Sequence, residues 1–166
     1  SFLMNEKPLP FGGWLVNASN DLSENTGIEL YIAFPQKGSS ELKHLKGKKI
    51  NYYIFPSIDS REANNPNQVY LENILNSIKP NLVHVFGTEY AHSLAMVNLC
   101  NKMGIKAIIS IQGLVSICSR HYMASIPINV QRRYTLRDII KGENLIVQQN
   151  KFAKRGEVEI QTIKKS

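Results

Sequence analysis

Two groups of chemistry-bearing side chains each follow a short apolar run. Thr88, Glu89, Tyr90 and His92 come after Leu82–Phe86 (LVHVF), and Gln112-Gly113 comes after Ala107–Ile111 (AIISI). A carboxylate, a phenol, an imidazole and a side-chain amide together can accept and donate hydrogen bonds to hydroxyl or amine groups. Gln112 does both at once, which suits sugar hydroxyls, but it is a poor general base. Glu89 has a purely structural explanation as well, since a carboxylate is favoured at a helix start. Ser119, Arg120, His121 and Tyr122 follow closely; Arg120 and His121 suit a phosphate, and loop packing explains them equally well. His84, inside LVHVF, reads as a satisfied core histidine rather than a catalytic one. Near the start, Gly12-Gly13 opens a helix and would favour an anion there by about 0.3–1 kcal/mol, although paired glycines more often simply make a turn.

Several familiar chemistries lack their residues. Neither G-x-G-x-x-G nor G-x-x-x-x-G-K-[ST] occurs, so the standard dinucleotide and phosphate-loop readings lose their main support. No G-x-S-x-G elbow and no metal-ligand cluster is present, and Cys100 sits where a helix core residue belongs. Spacing assigns no catalytic residue.

The elements that would position these groups alternate. Ile28–Phe34 and Ile50–Phe55 are expected strands, ended by Pro35 and Pro56. Asn65-Pro66 is the expected start of a helix whose Leu71, Ile74, Leu75 and Ile78 recur on one stripe, with Lys79-Pro80 ending it. LVHVF is apolar enough to be a strand covered on both faces. A further helix carries Ala91, Leu94, Ala95, Leu99 and Met103 on a shared face and closes at Gly104; AIISI is the fourth strand. Strands separated by helices predict right-handed βαβ units and a parallel sheet, whose ligands lie beyond the carboxyl ends of the strands. Segments Pro56–Glu62, Gly87–His92 and Gln112–Arg120 therefore merit attention. The helix through Leu15, Ala18, Ser19 and Leu22 lacks a secure preceding strand, because Ser1–Met4 is too short.

A chain of 166 residues corresponds to one domain of ordinary size, and 43% apolar with 20% charged residues excludes intrinsic disorder. No 18-residue apolar run or signal peptide is visible, and two cysteines make no disulfide framework, so a cytoplasmic protein is expected. Charge is unevenly spread: residues 1–100 balance at −1 and residues 101–166 at +8. The stretch Val130–Lys141 mixes Arg132, Arg133 and Arg137 with Val130, Tyr134, Leu136, Ile139 and Ile140. That mixture suits an anionic membrane surface, while amphipathic helices packed on the sheet explain it without a partner. Nucleic acid is not expected, because no recognised module accompanies the charge.

In order and spacing, these residues resemble the family 4 glycosyltransferases of the GT-B superfamily. The likeness runs through Pro10-Phe11-Gly12-Gly13-Trp14, Lys79-Pro80-Asn81-Leu82-Val83-His84-Val85-Phe86-Gly87-Thr88-Glu89 and Ile109-Ser110-Ile111-Gln112-Gly113. Arg133–Asp138 (RYTLRD) and Phe152-x-x-Arg155-Gly156 are similar to bacterial capsule and cell-wall polysaccharide members. The resemblance implies an α/β fold with a Rossmann-like, three-layer parallel sheet, one half of a GT-B fold and incomplete. It implies that residues 1–166 are a truncated N-terminal acceptor-binding domain without the nucleotide-sugar-binding domain, inactive alone. The full protein would be a retaining glycosyltransferase, without cofactor or metal, that takes a UDP- or GDP-sugar as donor. Its acceptor would be a polysaccharide or a lipid-linked saccharide, at the inner face of the cell membrane. Gly12 and Gly13 would lie near the donor diphosphate; Glu89, Tyr90, His92, Gln112, Gly113, Arg120 and His121 would face the acceptor. Gln112 stands where many members carry His, which puts proton transfer at that position in doubt. No two glutamates stand eight positions apart, so the Glu-x7-Glu motif is missing. From a different class, the alternative is a non-enzymatic Rossmann-like module docking a partner protein or anionic membrane through residues 114–166.

Overall fold

Mixed helices and strands are followed by four consecutive helices in a computed structural model that describes residues 13–25, 27–57 and 67–166. Their contacts gather into two compact units, residues 1–59 and 60–166. The expectations for Ser1–Met4, Gly12, Asn65-Pro66 and most of Pro56–Glu62 fall outside the described residues.

The first unit holds helix α1 (Gly13–Glu24) and strands β1 (Leu30–Gln36), β2 (Lys43–Lys46) and β3 (Ile50–Pro56) in the order β1-β3-β2. β1 and β3 pair in parallel, Leu30 opposite Ile50 through Gln36 opposite Pro56. β3 is central and, among the described residues of this unit, carries the most buried apolar side chains, Ile54 and Phe55. Proline does not stop β1, which runs on through Pro35. β2 was not expected; it lies within the polar stretch Gln36–Lys49 and pairs antiparallel with β3. Its sequence, KHLK, is largely exposed, and lysines on an edge strand discourage pairing with another chain. His44 stacks on Tyr53 directly opposite, ring centroids 4.4 Å apart, and so helps fix that register.

The second unit contains helix α2 (Gln68–Ile78), strand β4 (Leu82–Phe86), helix α3 (Ala91–Met103) and strand β5 (Lys106–Ser110), followed by helices α4 (Val115–Arg120), α5 (Ile128–Gln131), α6 (Leu136–Lys141) and α7 (Leu145–Lys164). β4 and β5 form a two-stranded parallel sheet, Leu82 opposite Lys106 through Phe86 opposite Ser110. α2 buries Leu71, Ile74 and Leu75, three of the four residues of its expected stripe. It ends at Lys79, whose left-handed backbone (φ 51°) turns the chain into Pro80 while its N–H donates to the Leu75 carbonyl. α3 is buried on more sides than one stripe requires, with Ser93, Ala95, Val97, Leu99 and Cys100 all enclosed. Burial pushes the Cys100 thiol above its ordinary range, as befits a core residue. Gly104, at φ 68°, closes α3 as expected.

β4 departs from the sequence reading. Val85 is buried, but Leu82 and His84 are exposed, so the strand is covered on one face only. α3 covers that face; the other carries His84, whose Nε2 lies 2.8 Å from the Ser110 hydroxyl on β5. His84 is thus an exposed, hydrogen-bonded strand residue and not a core histidine. The protein is therefore an α/β molecule whose sheets are small and partly parallel. Among the described residues, no helix is long and apolar enough to cross a membrane.

Candidate functional site

Because β4 and β5 run in parallel, their carboxyl ends open at the same edge of the sheet. Gly87 follows β4, and its N–H donates to the Ser110 carbonyl at the end of β5, 3.0 Å away. Gly87 has φ 83°, a conformation glycine adopts without cost. A Cβ there would also sit 3.3 Å from a Glu89 carboxylate oxygen. That turn delivers Thr88 to the interior and folds Glu89 back, so that its carboxylate accepts a hydrogen bond from the Thr88 N–H at 3.1 Å.

Tyr90 is the extended residue preceding α3, and its ring stacks on that of His92 with centroids 5.3 Å apart and planes within 10°. Burial, and then the Glu89 charge, push the Tyr90 phenol above its ordinary range, against the opposing pull of Arg155. The phenol therefore stays a hydrogen-bond donor at neutral pH. His92 is pushed below its ordinary value by burial, with the Glu89 carboxylate opposing, which keeps the imidazole neutral.

A consequence for stability follows from His92. The folded state holds the imidazole below its ordinary value of 6.5, so the unfolded chain takes up the proton first as pH falls. Stability contributed by neutral His92 is complete above about pH 6.5 and declines below it. Urea midpoints measured between about pH 5.5 and 7.5 should fall with acidity, and His92→Gln should flatten that slope. An unchanged slope in the variant would assign the decline to other groups.

Gln112 and Gly113 follow β5 and are exposed. The next residues enter α4, which ends at Arg120 with His121 beyond it. Arg120 and His121 thus stand at the far end of a six-residue helix from Gln112, about 9 Å along its axis. Glu89, Tyr90, His92, Gln112 and Gly113 share the sheet edge; Arg120 and His121 belong to the opposite end of α4. Gly13 begins α1 in the first unit. Among the described residues, no group of three or more His, Cys, Asp or Glu side chains is placed to hold a metal ion.

The start of α4 is held by a residue that sequence reasoning missed. Glu159 of α7 is fully buried, and its carboxylate accepts from the Val115 N–H at 2.8 Å, the Ser116 N–H at 3.0 Å and the Ser116 hydroxyl at 2.5 Å. It caps α4 from another helix and satisfies amides that α4 itself cannot. One turn earlier, Gly156 lets the two backbones meet: a Cβ there would lie 2.7 Å from Ser116 Cα. Nearby, the Tyr122 hydroxyl donates to Gln148 Oε1 at 2.6 Å and its ring packs on Phe152. Two members of the Phe152-x-x-Arg155-Gly156 spacing are thereby explained, Phe152 packing on Tyr122 and Gly156 on the start of α4.

The strand ends thus carry the Glu89 carboxylate and the stacked Tyr90–His92 pair after β4, and the exposed Gln112 amide after β5. Side chains of these kinds can hydrogen-bond hydroxyl groups and make apolar contact through their rings. Comparison with protein-family models, with curated proteins and with solved structures finds no match for this chain.

Proposed function

We propose that this chain is the acceptor-side, N-terminal part of a retaining glycosyltransferase with a Rossmann-like half of a GT-B fold. The observation that carries the reading is the placement of Glu89, Tyr90, His92 and Gln112 at the carboxyl edge of the parallel β4–β5 pair, where open α/β sheets bind ligands. In this role Glu89 accepts from an acceptor hydroxyl and Gln112 hydrogen-bonds a neighbouring one. The Tyr90–His92 pair supports the ring. This half would orient the acceptor against a nucleotide-sugar held by a second domain, a contribution made through proximity rather than through proton transfer. Gln112 has no proton to exchange at neutral pH, so the histidine-like role is absent from the scheme. Gly12 and Gly13 would approach the donor diphosphate, the donor being a UDP- or GDP-sugar. The enzyme would work in the cytoplasm, and the acceptor is a polysaccharide or a lipid-linked saccharide.

Titration of the isotopically labelled chain with oligosaccharides of common hexoses and N-acetylhexosamines tests the assignment. Amide shifts should cluster at residues 87–92 and 112–114, and Glu89→Ala should weaken binding about tenfold, the order expected for a hydrogen bond to a charged group. Shifts confined to other surfaces would overturn the acceptor assignment.

A further inference from the structure

Among the described residues, most large apolar side chains exposed by 60% or more lie in the segment spanning α5 and α6. Ile128, Tyr134, Leu136, Ile139 and Ile140 are 60%, 63%, 78%, 67% and 78% exposed, values unusual for side chains of this size. Leu136, Ile139 and Ile140 recur at i, i+3 and i+4 and share one face of α6. Arg137 and Lys141 follow Leu136 and Ile140 by one position each, and Arg132 and Arg133 precede the helix; all four cations are exposed. Two carboxylates lie close by and both are engaged. Asp138 accepts from the Thr135 N–H at 2.8 Å in a capping box, and Glu143 pairs with Lys151. Backbone hydrogen bonding by Thr135 holds Asp138 below its usual range, and Lys151 does the same for Glu143. The cap stabilises the start of α6, and the helix is exposed along its length, its aliphatic residues included.

We infer that α5–α6 is a docking surface for an anionic lipid bilayer, with Leu136, Ile139 and Ile140 entering the interface and Arg132, Arg133, Arg137 and Lys141 meeting lipid phosphates. Charge complementarity selects the occupant. Nucleic acid would meet the arginines but leave the aliphatic face in water. A protein interface core is depleted of lysine, whereas Lys141 here adjoins Ile140 on the same short helix. A bilayer surface supplies an apolar phase and negative charge within one layer. The inference does not depend on glycosyl transfer, although a surface-bound enzyme would meet a lipid-linked acceptor directly.

Co-sedimentation of the full 166-residue chain with vesicles of equal parts phosphatidylglycerol and phosphatidylcholine tests it. Binding should be salt-sensitive and absent with phosphatidylcholine alone. Each arginine neutralised in Arg132→Gln, Arg133→Gln and Arg137→Gln should weaken it about fivefold. Leu136→Ser, Ile139→Ser and Ile140→Ser should each weaken it at least tenfold, from the apolar area involved. These side chains are exposed, so far-ultraviolet circular dichroism of the variants should match the parent. Ile140→Trp should add a fluorescence component that shifts to the blue on vesicle addition. No binding, binding indifferent to both variant sets, or self-association of the parent that the serine variant abolishes would each overturn the bilayer assignment.

Discussion

Replacing Glu159 with alanine is expected to lower the free energy of unfolding by about 2–4 kcal/mol. The side chain is fully enclosed and accepts three hydrogen bonds, two of them from the first backbone amides of α4. Truncation leaves those amides of the half-buried Val115 and Ser116 without an acceptor, and stranded buried donors cost about 1–3 kcal/mol each before relaxation and access of water. The Ser116 hydroxyl can rotate towards another acceptor, which is why the total stays below the sum. Glu159→Gln should recover part of the loss, since its carbonyl still accepts from Ser116 while its amide opposes the Val115 N–H. Glu157, exposed on the same helix, is the control, and its alanine variant should change stability by less than about 0.5 kcal/mol. Urea unfolding followed by circular dichroism separates the cases. A change at Glu159 no larger than at Glu157 would mean that α4 is not anchored there. The site should feel the same change: α4 begins immediately after Gly113-Leu114, so an unanchored helix releases the Gln112 loop.

Gly156→Ala should also destabilise, by a net of about 1–2 kcal/mol, and its sign is the informative part. In a helix interior, alanine is favoured over glycine by about 1 kcal/mol, so propensity alone predicts a gain. The added methyl, however, would stand 2.7 Å from Ser116 Cα and 3.1 Å from Ser116 N, backbone atoms that cannot rotate aside. Forcing α4 and α7 apart costs about 1–3 kcal/mol by overpacking and lengthens the Glu159 hydrogen bonds as well. Ala153→Gly, at an exposed position of α7, should cost about 1 kcal/mol from propensity alone. Gly156→Ala and Glu159→Gln share Ser116 as partner, so their effects should not add. Thermal or urea midpoints that rise in Gly156→Ala would show that the helices have room to accept a side chain.

What the sequence made legible follows from which forces were apolar. The α2 stripe, the Gly104 cap and the parallel LVHVF–AIISI pair were readable because hydrophobic periodicity and turn chemistry act locally. The α4–α7 crossing was not, because α7 buries Gly156, Glu159 and Thr162, a small and polar stripe that periodicity ignores. A lone buried glutamate carries no local signature; its partners lie more than forty residues away, at Val115 and Ser116. β2 was missed because its residues, Lys43-His44-Leu45-Lys46, have the polarity of a loop and pair only through the edge of β3. His84 was misjudged for the converse reason: apolar neighbours in sequence suggested burial, whereas α3 covers only one face of β4. At the candidate site, the positions of Gly87–His92 and Gln112–Gly113 just beyond β4 and β5 were readable from the strand ends. The distance to Arg120 and His121 was hidden, since α4 is too short to announce itself by period.

Sugar transfer itself is the most direct test. A polypeptide that joins this chain to a donor-binding half should be incubated with a panel of UDP- and GDP-sugars and saccharide or lipid-linked acceptors. It should transfer from at least one donor, the 166-residue chain alone should not, and Glu89→Ala or Gln112→Ala should lower kcat/KM about tenfold or more. Failure to hydrolyse or transfer any nucleotide sugar in that panel would contradict the glycosyltransferase reading.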